Sequence, residues 1–125
     1  MEVKPTESEL EILKLLWQIG PTTVRQINDK LNEQREVGYT TTLKIMQIMT
    51  QKGFLKRDES ARTHIYSAAI AEAETKDALI DRLMNTAFAG SASQLIMQAL
   101  GRGQASQQEL EKIKALIEKL EGGDS

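Results

Sequence analysis

Residues 39–66 read YTTTLKIMQIMTQKGFLKRDESARTHIY, and the fold turns on how this stretch divides. Through Lys52 the apolar side chains recur at helical spacing. At about 100° per residue, Thr42, Ile45, Met46 and Met49 share one face, and Thr40, Lys44, Gln47 and Gln51 share the opposite one. Gly53 stops this helix, because glycine enters the left-handed cap at no steric cost. After it the period shortens. Phe54–Arg57 and Thr63–Ser67 are β-prone runs joined by the polar segment Asp58–Arg62, which is a hairpin signal.

Upstream, Thr6-x-x-Glu9 is a capping box that opens a first helix carrying Leu10, Ile12, Leu13, Leu16, Trp17 and Ile19. Gly20-Pro21 ends it. Thr23-x-x-Gln26 starts a second helix with Val24, Ile27 and Leu31 as its apolar stripe, and Asn32–Gly38 is a polar loop. Downstream the helical period returns from Ile70. Leu79, Ile80, Leu83, Met84, Ala87 and Phe88 make a wide apolar stripe, and Ala89-Gly90-Ser91 breaks it. Leu95, Ile96, Ala99 and Leu100 mark a short helix closed by Gly101-Arg102-Gly103. Ser106-x-x-Glu109 then opens a last helix with Leu110, Ile113, Leu116, Ile117 and Leu120. The predicted class is mainly α: a winged helix-turn-helix of three helices plus a two-stranded wing over 1–69, a helical dimerisation region over 70–122, and a frayed tail at 123–125. The second helix of such a motif, here the third of the chain, enters the DNA major groove.

Composition narrows the chemistry. The 125 residues contain no cysteine and one histidine, which removes thiol catalysis, cysteine-ligated metals and disulfides together. No metal and no cofactor is expected. No apolar run approaches the ~20 residues of a membrane span, and MEVKPTESELE has no apolar signal core. A cytoplasmic protein without membrane insertion is the default expectation. The net charge of −2 does not itself suggest a nucleic-acid partner, but its distribution does. Arg35, Lys44, Lys52, Lys56, Arg57 and Arg62 against Glu36, Asp58 and Glu59 give residues 35–66 a charge of +3, while the flanking segments carry −2 and −3. No carboxylate occurs between Val37 and Arg57.

The outer face of the third helix therefore offers a hydroxyl, an ammonium and two amides. Those groups pair with base edges: lysine with guanine acceptors, glutamine with adenine, threonine with a thymine methyl. Thr40 and Thr41 stand at the helix start, where free backbone N–H groups favour a phosphate. The hairpin adds Arg57, Arg62 and His64 for the phosphate backbone or the minor groove. The candidate contacts to a double-stranded DNA operator are thus Thr40, Thr41, Lys44, Gln47, Arg57, Arg62 and His64. Against this stands an ordinary amphipathic helix with a solvated outer face, and a solvent-exposed strand histidine. Tyr66 is read as packing under the sheet, and the methionines as core or interface filler.

Several of these motifs resemble the penicillinase-repressor family of bacterial winged-helix regulators (the BlaI/MecI/CopY type). They are Glu9–Leu13 with Leu16-Trp17, Gly20-Pro21 with Val24-x-x-Ile27, Tyr39-Thr40-Thr41-Thr42 closing at Lys52-Gly53, Arg62–Tyr66, and Phe88-Ala89-Gly90-Ser91 with Leu110–Leu120. The likeness spans roughly residues 5–121. It implies a homodimeric repressor on palindromic promoter DNA, released in some members when a membrane sensor protease triggers cleavage near the dimerisation helices. In copper-responsive members it implies a cysteine metal switch, which this chain lacks the residues for. Antibiotic-responsive members carry Asn-Phe where this chain reads Gln98-Ala99-Leu100, and no Asn-Phe dipeptide occurs anywhere. Lys44, Gln47 and Ile48 also stand where the commoner pattern has threonine, a small polar residue and arginine.

One winged lobe with few cations makes few DNA contacts, so two lobes held together gain by making the second engagement nearly intramolecular. The expected dimerisation residues are Leu79, Leu83, Phe88, Leu95, Ile96, Leu110, Ile113, Ile117 and Leu120. Three competing readings are a winged-helix protein-interaction module, an enzyme, and ligand-gated release. The net acidity favours the first. The second lacks a nucleophile–histidine set, a phosphate loop and a metal cluster, and Glu72, Glu74, Asp77 and Asp81 read as a solvated helix face. No polar pocket for the third is visible in the sequence.

Overall fold

The computed structural model describes residues 4–122; the tail expected at 123–125 lies outside the described residues. Local chemistry sets the element boundaries. Helix α1 (Glu7–Ile19) starts with both halves of its capping box: Glu9 N donates to Thr6 Oγ1 at 3.2 Å and Thr6 N donates to Glu9 Oε1 at 2.9 Å. Helix α2 (Val24–Leu31) has one half only, with Gln26 N donating to Thr23 Oγ1 at 3.2 Å. Helix α3 (Tyr39–Lys52) closes at Gly53, whose φ of 88° suits glycine. Phe54 N then reaches back to Met49 O at 2.9 Å. That cap uses Phe54, so strand β1 runs Leu55–Asp58, one residue later than predicted.

Strand β2 (Ile65–Ala68) pairs antiparallel with β1, placing Leu55 opposite Ala68 and Arg57 opposite Tyr66. Thr22 adds an isolated bridge to β2 that the sequence did not announce. Its N–H donates to Tyr66 O at 3.0 Å, and Tyr66 N donates to Thr22 O at 2.7 Å. This ties the α1–α2 connection to the wing. Together these elements form a winged helix-turn-helix.

The core beneath them draws on every element: Ile12, Leu13 and Leu16 of α1, Val24, Ile27 and Leu31 of α2, Met46 and Met49 of α3, then Phe54, Leu55 and Tyr66. Polar links brace it. Asn28 Nδ2 donates to Val37 O at 3.0 Å and to Thr42 Oγ1 at 2.9 Å, fixing the α2–α3 turn. Lys52 Nζ donates to the buried Glu9 carboxylate at 2.7 Å, joining the end of α3 to the start of α1.

Helix α4 (Glu72–Ala87) begins two residues after the expected Ile70. The Ile70 carbonyl instead accepts from Trp17 Nε1 at 3.1 Å. The described chain divides into two compact units after Leu79. The first turns of α4 thus belong to the amino-terminal unit, where Ala71, Thr75, Ala78 and Leu79 line a hollow with Phe54. The expected boundary at 69/70 falls instead in the strand-to-helix connection.

In the second unit, the turn after α4 holds Ala89 at φ 51° and Gly90 at φ 77°, with Gly90 N donating to Met84 O at 2.8 Å. Ser91 Oγ caps α5 (Ala92–Gly101) by accepting from Gln94 N at 3.1 Å. Ser106 and Glu109 form the reciprocal box, at 2.9 and 3.1 Å, that opens α6 (Gln107–Gly122). No residue from Ile80 to Gly122 is buried. Among the described residues no helix is long and apolar enough to cross a membrane.

Candidate nucleic-acid interface

Helix α3 splits by face as its periodicity requires. Thr42, Met46 and Met49 are buried against the core. Thr40, Thr41, Lys44, Gln47 and Gln51 are exposed on the other side. Thr42 is held inward because its hydroxyl bonds both Asn28 and the Gly38 carbonyl, and that fixes the rotation of the helix. Gly38 precedes α3 with no side-chain cap, so backbone N–H groups of the first turn have no side-chain partner there.

The wing stands across from the start of α3. Arg62, Thr63 and His64 of the loop and Thr23, Arg25 and Tyr39 of the two helices face one groove of about 560 Å³. Two predicted residues, Arg62 and His64, are therefore brought together, and Thr40, Thr41, Lys44 and Gln47 form a separate strip along α3. Arg25 and Tyr39 were not among the predicted contacts. Arg25 stacks its guanidinium over the Tyr39 ring at 5.4 Å from the centroid. The pair lies fourteen positions apart in sequence, and no local pattern joins them.

Arg57 differs from the other predicted residues. Its Nε and Nη2 grip Glu59 Oε2 at 2.7 and 2.6 Å. The Tyr66 hydroxyl and the Glu59 carboxylate both hold its guanidinium above the usual pKa. Asp58 accepts from Ser60 N at 2.9 Å, which shapes the loop and holds its own carboxyl below the ordinary range. Both acids of the wing loop, Asp58 and Glu59, thus have structural partners.

The positive window is thinner than the sequence suggested. Arg35 pairs with Glu11, Lys52 with Glu9 and Arg57 with Glu59. Lys44, Lys56 and Arg62 have no acidic partner among the described residues, and neither does Arg25. Two of the neutralising acids come from α1, outside the window that the charge count isolated.

The expected dimerisation residues all lie on incompletely covered helices. Leu79, Phe88, Leu95, Leu110 and Ile113 are half-buried, while Leu83, Ile96, Ile117 and Leu120 are exposed, Leu120 by 70%. Met97, read as core or interface filler, is 72% exposed. Ile80 and Leu116 are exposed beside them.

The penicillinase repressor profile matches residues 5–119. The chain is similar to a transcriptional regulator BlaI of Mycobacterium tuberculosis, 26% identical over 92% of this chain and 83% of that protein. It is also similar to the methicillin resistance regulatory protein MecI of Staphylococcus epidermidis, 18% identical over 91% and 93%. Among solved structures, the complex structure of hsRosR-S4 superposes with a TM-score of 0.53 at 19% identity, covering 96% of this chain and 92% of that one, a likeness of fold. The chain belongs to the penicillinase-repressor family, a family of winged-helix transcriptional regulators.

Proposed function

We propose that the protein is a homodimeric repressor that binds a palindromic promoter operator, with α3 in the major groove and the wing on the flanking backbone. The α3 outer face carries this reading. Thr40, Thr41, Lys44 and Gln47 are exposed together, no acid interrupts residues 38–56, and the opposite face is locked into the core. Lys44 and Gln47 are the base readers. Thr40 and Thr41 sit beside the uncapped N–H groups of the first turn and meet a phosphate. Arg62 and His64 contact the backbone next to it, and Arg57 joins them only by exchanging Glu59 for a phosphate.

Dimerisation rests on the second unit and on Leu79, the residue just before it. No side chain from Ile80 to Gly122 is buried, and exposed apolar faces of this kind mark an interaction site. A second copy of the same faces covers them, through Leu79, Leu83, Phe88, Leu95, Ile96, Leu110, Ile113, Ile117 and Leu120. A two-fold dimer then presents two α3 helices to two half-sites whose spacing mirrors its axis. Occupancy obstructs transcription. Any signal that separates the carboxy-terminal helices releases the operator, and cleavage triggered by a membrane sensor protease is the route that the family resemblance implies.

Fluorescence anisotropy on promoter duplexes over a salt series, beside sedimentation at micromolar concentration, tests this. A dimer whose log affinity falls with log salt by about 0.9 per neutralised phosphate is expected. A monomer, or salt-independent binding, overturns the reading and favours a protein-interaction module, which the net acidity suits.

A further inference from the structure

We infer that Arg25, stacked on Tyr39, is a second phosphate clamp, and that the groove between α2 and the wing grips one phosphodiester strand from both sides. The inference rests on the proposed operator binding and divides its labour: Lys44 and Gln47 read bases, and the groove reads backbone shape. Arg25 stands on the first turn of α2 and Arg62 on the wing loop, so cations from two elements far apart in sequence face the same groove of about 560 Å³. None of its lining residues is acidic. Neither arginine has an acidic partner among the described residues, whereas Arg35, Lys52 and Arg57 all do. An arginine pair left without counter-charge across an acid-free channel matches a ligand that is itself a continuous polyanion.

Tyr39 gives the clamp its geometry. With the ring 5.4 Å from the guanidinium carbon, the planar cation is restrained on one face while its edge N–H groups stay free to bond. A lysine at 25 keeps the charge but not the flat, five-donor fork that suits a phosphate. Thr23 and Thr63 supply hydroxyls along the same channel. None of Thr40, Thr41, Lys44 and Gln47 lines this groove, so the clamp's contribution is assigned to the backbone and is the same on any base sequence.

The test uses the full chain. Affinity of wild type, Arg25→Ala, Arg25→Lys and Tyr39→Leu is measured on an operator duplex and on a scrambled duplex of equal length, each across a salt series. Arg25 is exposed, and circular dichroism verifies that the fold is retained. Each dimer loses two phosphate contacts in Arg25→Ala. The salt slope is therefore expected to flatten by about 1.8, with a loss of roughly thirty-fold near 0.15 M salt on both duplexes. Arg25→Lys and Tyr39→Leu are expected to lose less, with most of the slope retained. An unchanged slope in Arg25→Ala overturns the inference, and so does a loss confined to the operator duplex, since that means base reading. A wild-type protein that binds neither duplex in a salt-dependent way instead overturns the operator reading beneath it.

Discussion

The two units solve the same problem, covering apolar helix faces, in opposite ways. The amino-terminal unit closes its core with residues from every helix and both strands, and braces it with polar links that cross the chain. The carboxy-terminal unit has wide apolar stripes and well-formed caps, yet from Ile80 to Gly122 it buries no side chain. A helix gains most of its stability from packing its apolar face rather than from propensity. The first unit therefore carries its own stability. The second leaves its apolar faces exposed, and the proposed dimer is what would cover them. In the proposed dimeric repressor this division is useful, because DNA affinity would then depend on an association that can be undone without unfolding the winged unit.

Breaking the second unit should have the largest effect. Leu116→Glu with Ile117→Glu places two carboxylates on the exposed apolar face of α6. Sedimentation is expected to show monomers, and operator affinity to fall by about 10²–10⁴-fold as the second half-site engagement ceases to be intramolecular. The thermal transition of the amino-terminal unit should persist. A dimer that survives the double substitution removes the contrast between the units.

The first unit breaks differently. Burial raises the Glu9 pKa, but the Lys52 ammonium and the Thr6 N–H together outweigh it, so the carboxyl lies below its ordinary value of 4.5. A depressed carboxyl contributes stability at pH above that ordinary value, and loses it as pH falls through the lower folded-state value. Lys52→Met leaves the Glu9 carboxylate buried without its partner. The expected cost is about 1–2 kcal/mol at pH 7, reduced from that of a fully buried pair because Lys52 is partly exposed. It should read out in urea denaturation with dimerisation intact, and the gap from wild type should narrow in acid. A gap independent of pH contradicts the role of this pair.

A smaller effect sharpens the comparison inside the DNA-facing lobe. Glu59→Gln frees Arg57 from its carboxylate. Operator affinity is expected to rise several-fold, with a salt slope steeper by about one unit per protomer, at unchanged oligomeric state. Unchanged binding would mean that Arg57 stays with Tyr66 and takes no part in the interface.

What the sequence made legible was local. Thr6 with Glu9, Thr23, Gly20, Gly53, and Ser106 with Glu109 each act within a few residues, and each marks a helix end that the structure places where expected. The two faces of α3 followed from periodicity alone. Less visible was everything that acts across distance. Lys52 finds Glu9 over 43 positions and Trp17 finds Ile70 over 53. Thr22 joins the wing through a single rung, too short for a strand pattern. Counting charge by window gave +3, but three of its six cations are paired, two of them with α1 acids. Arg25, outside the window, faces the groove instead. Charge along a chain is a poor guide to charge across a surface when helices from different segments share that surface.

The most direct measurement is selection of binding sequences from a random duplex pool, carried out in parallel with wild type and Lys44→Ala. An inverted repeat is expected for wild type. Lys44→Ala should lose base preference at one position in each half-site, in mirror-related places, at a cost of about 1–3 kcal/mol per contact. Recovery of the same motif by both proteins, or of no enriched motif by wild type, contradicts an α3 that reads the major groove.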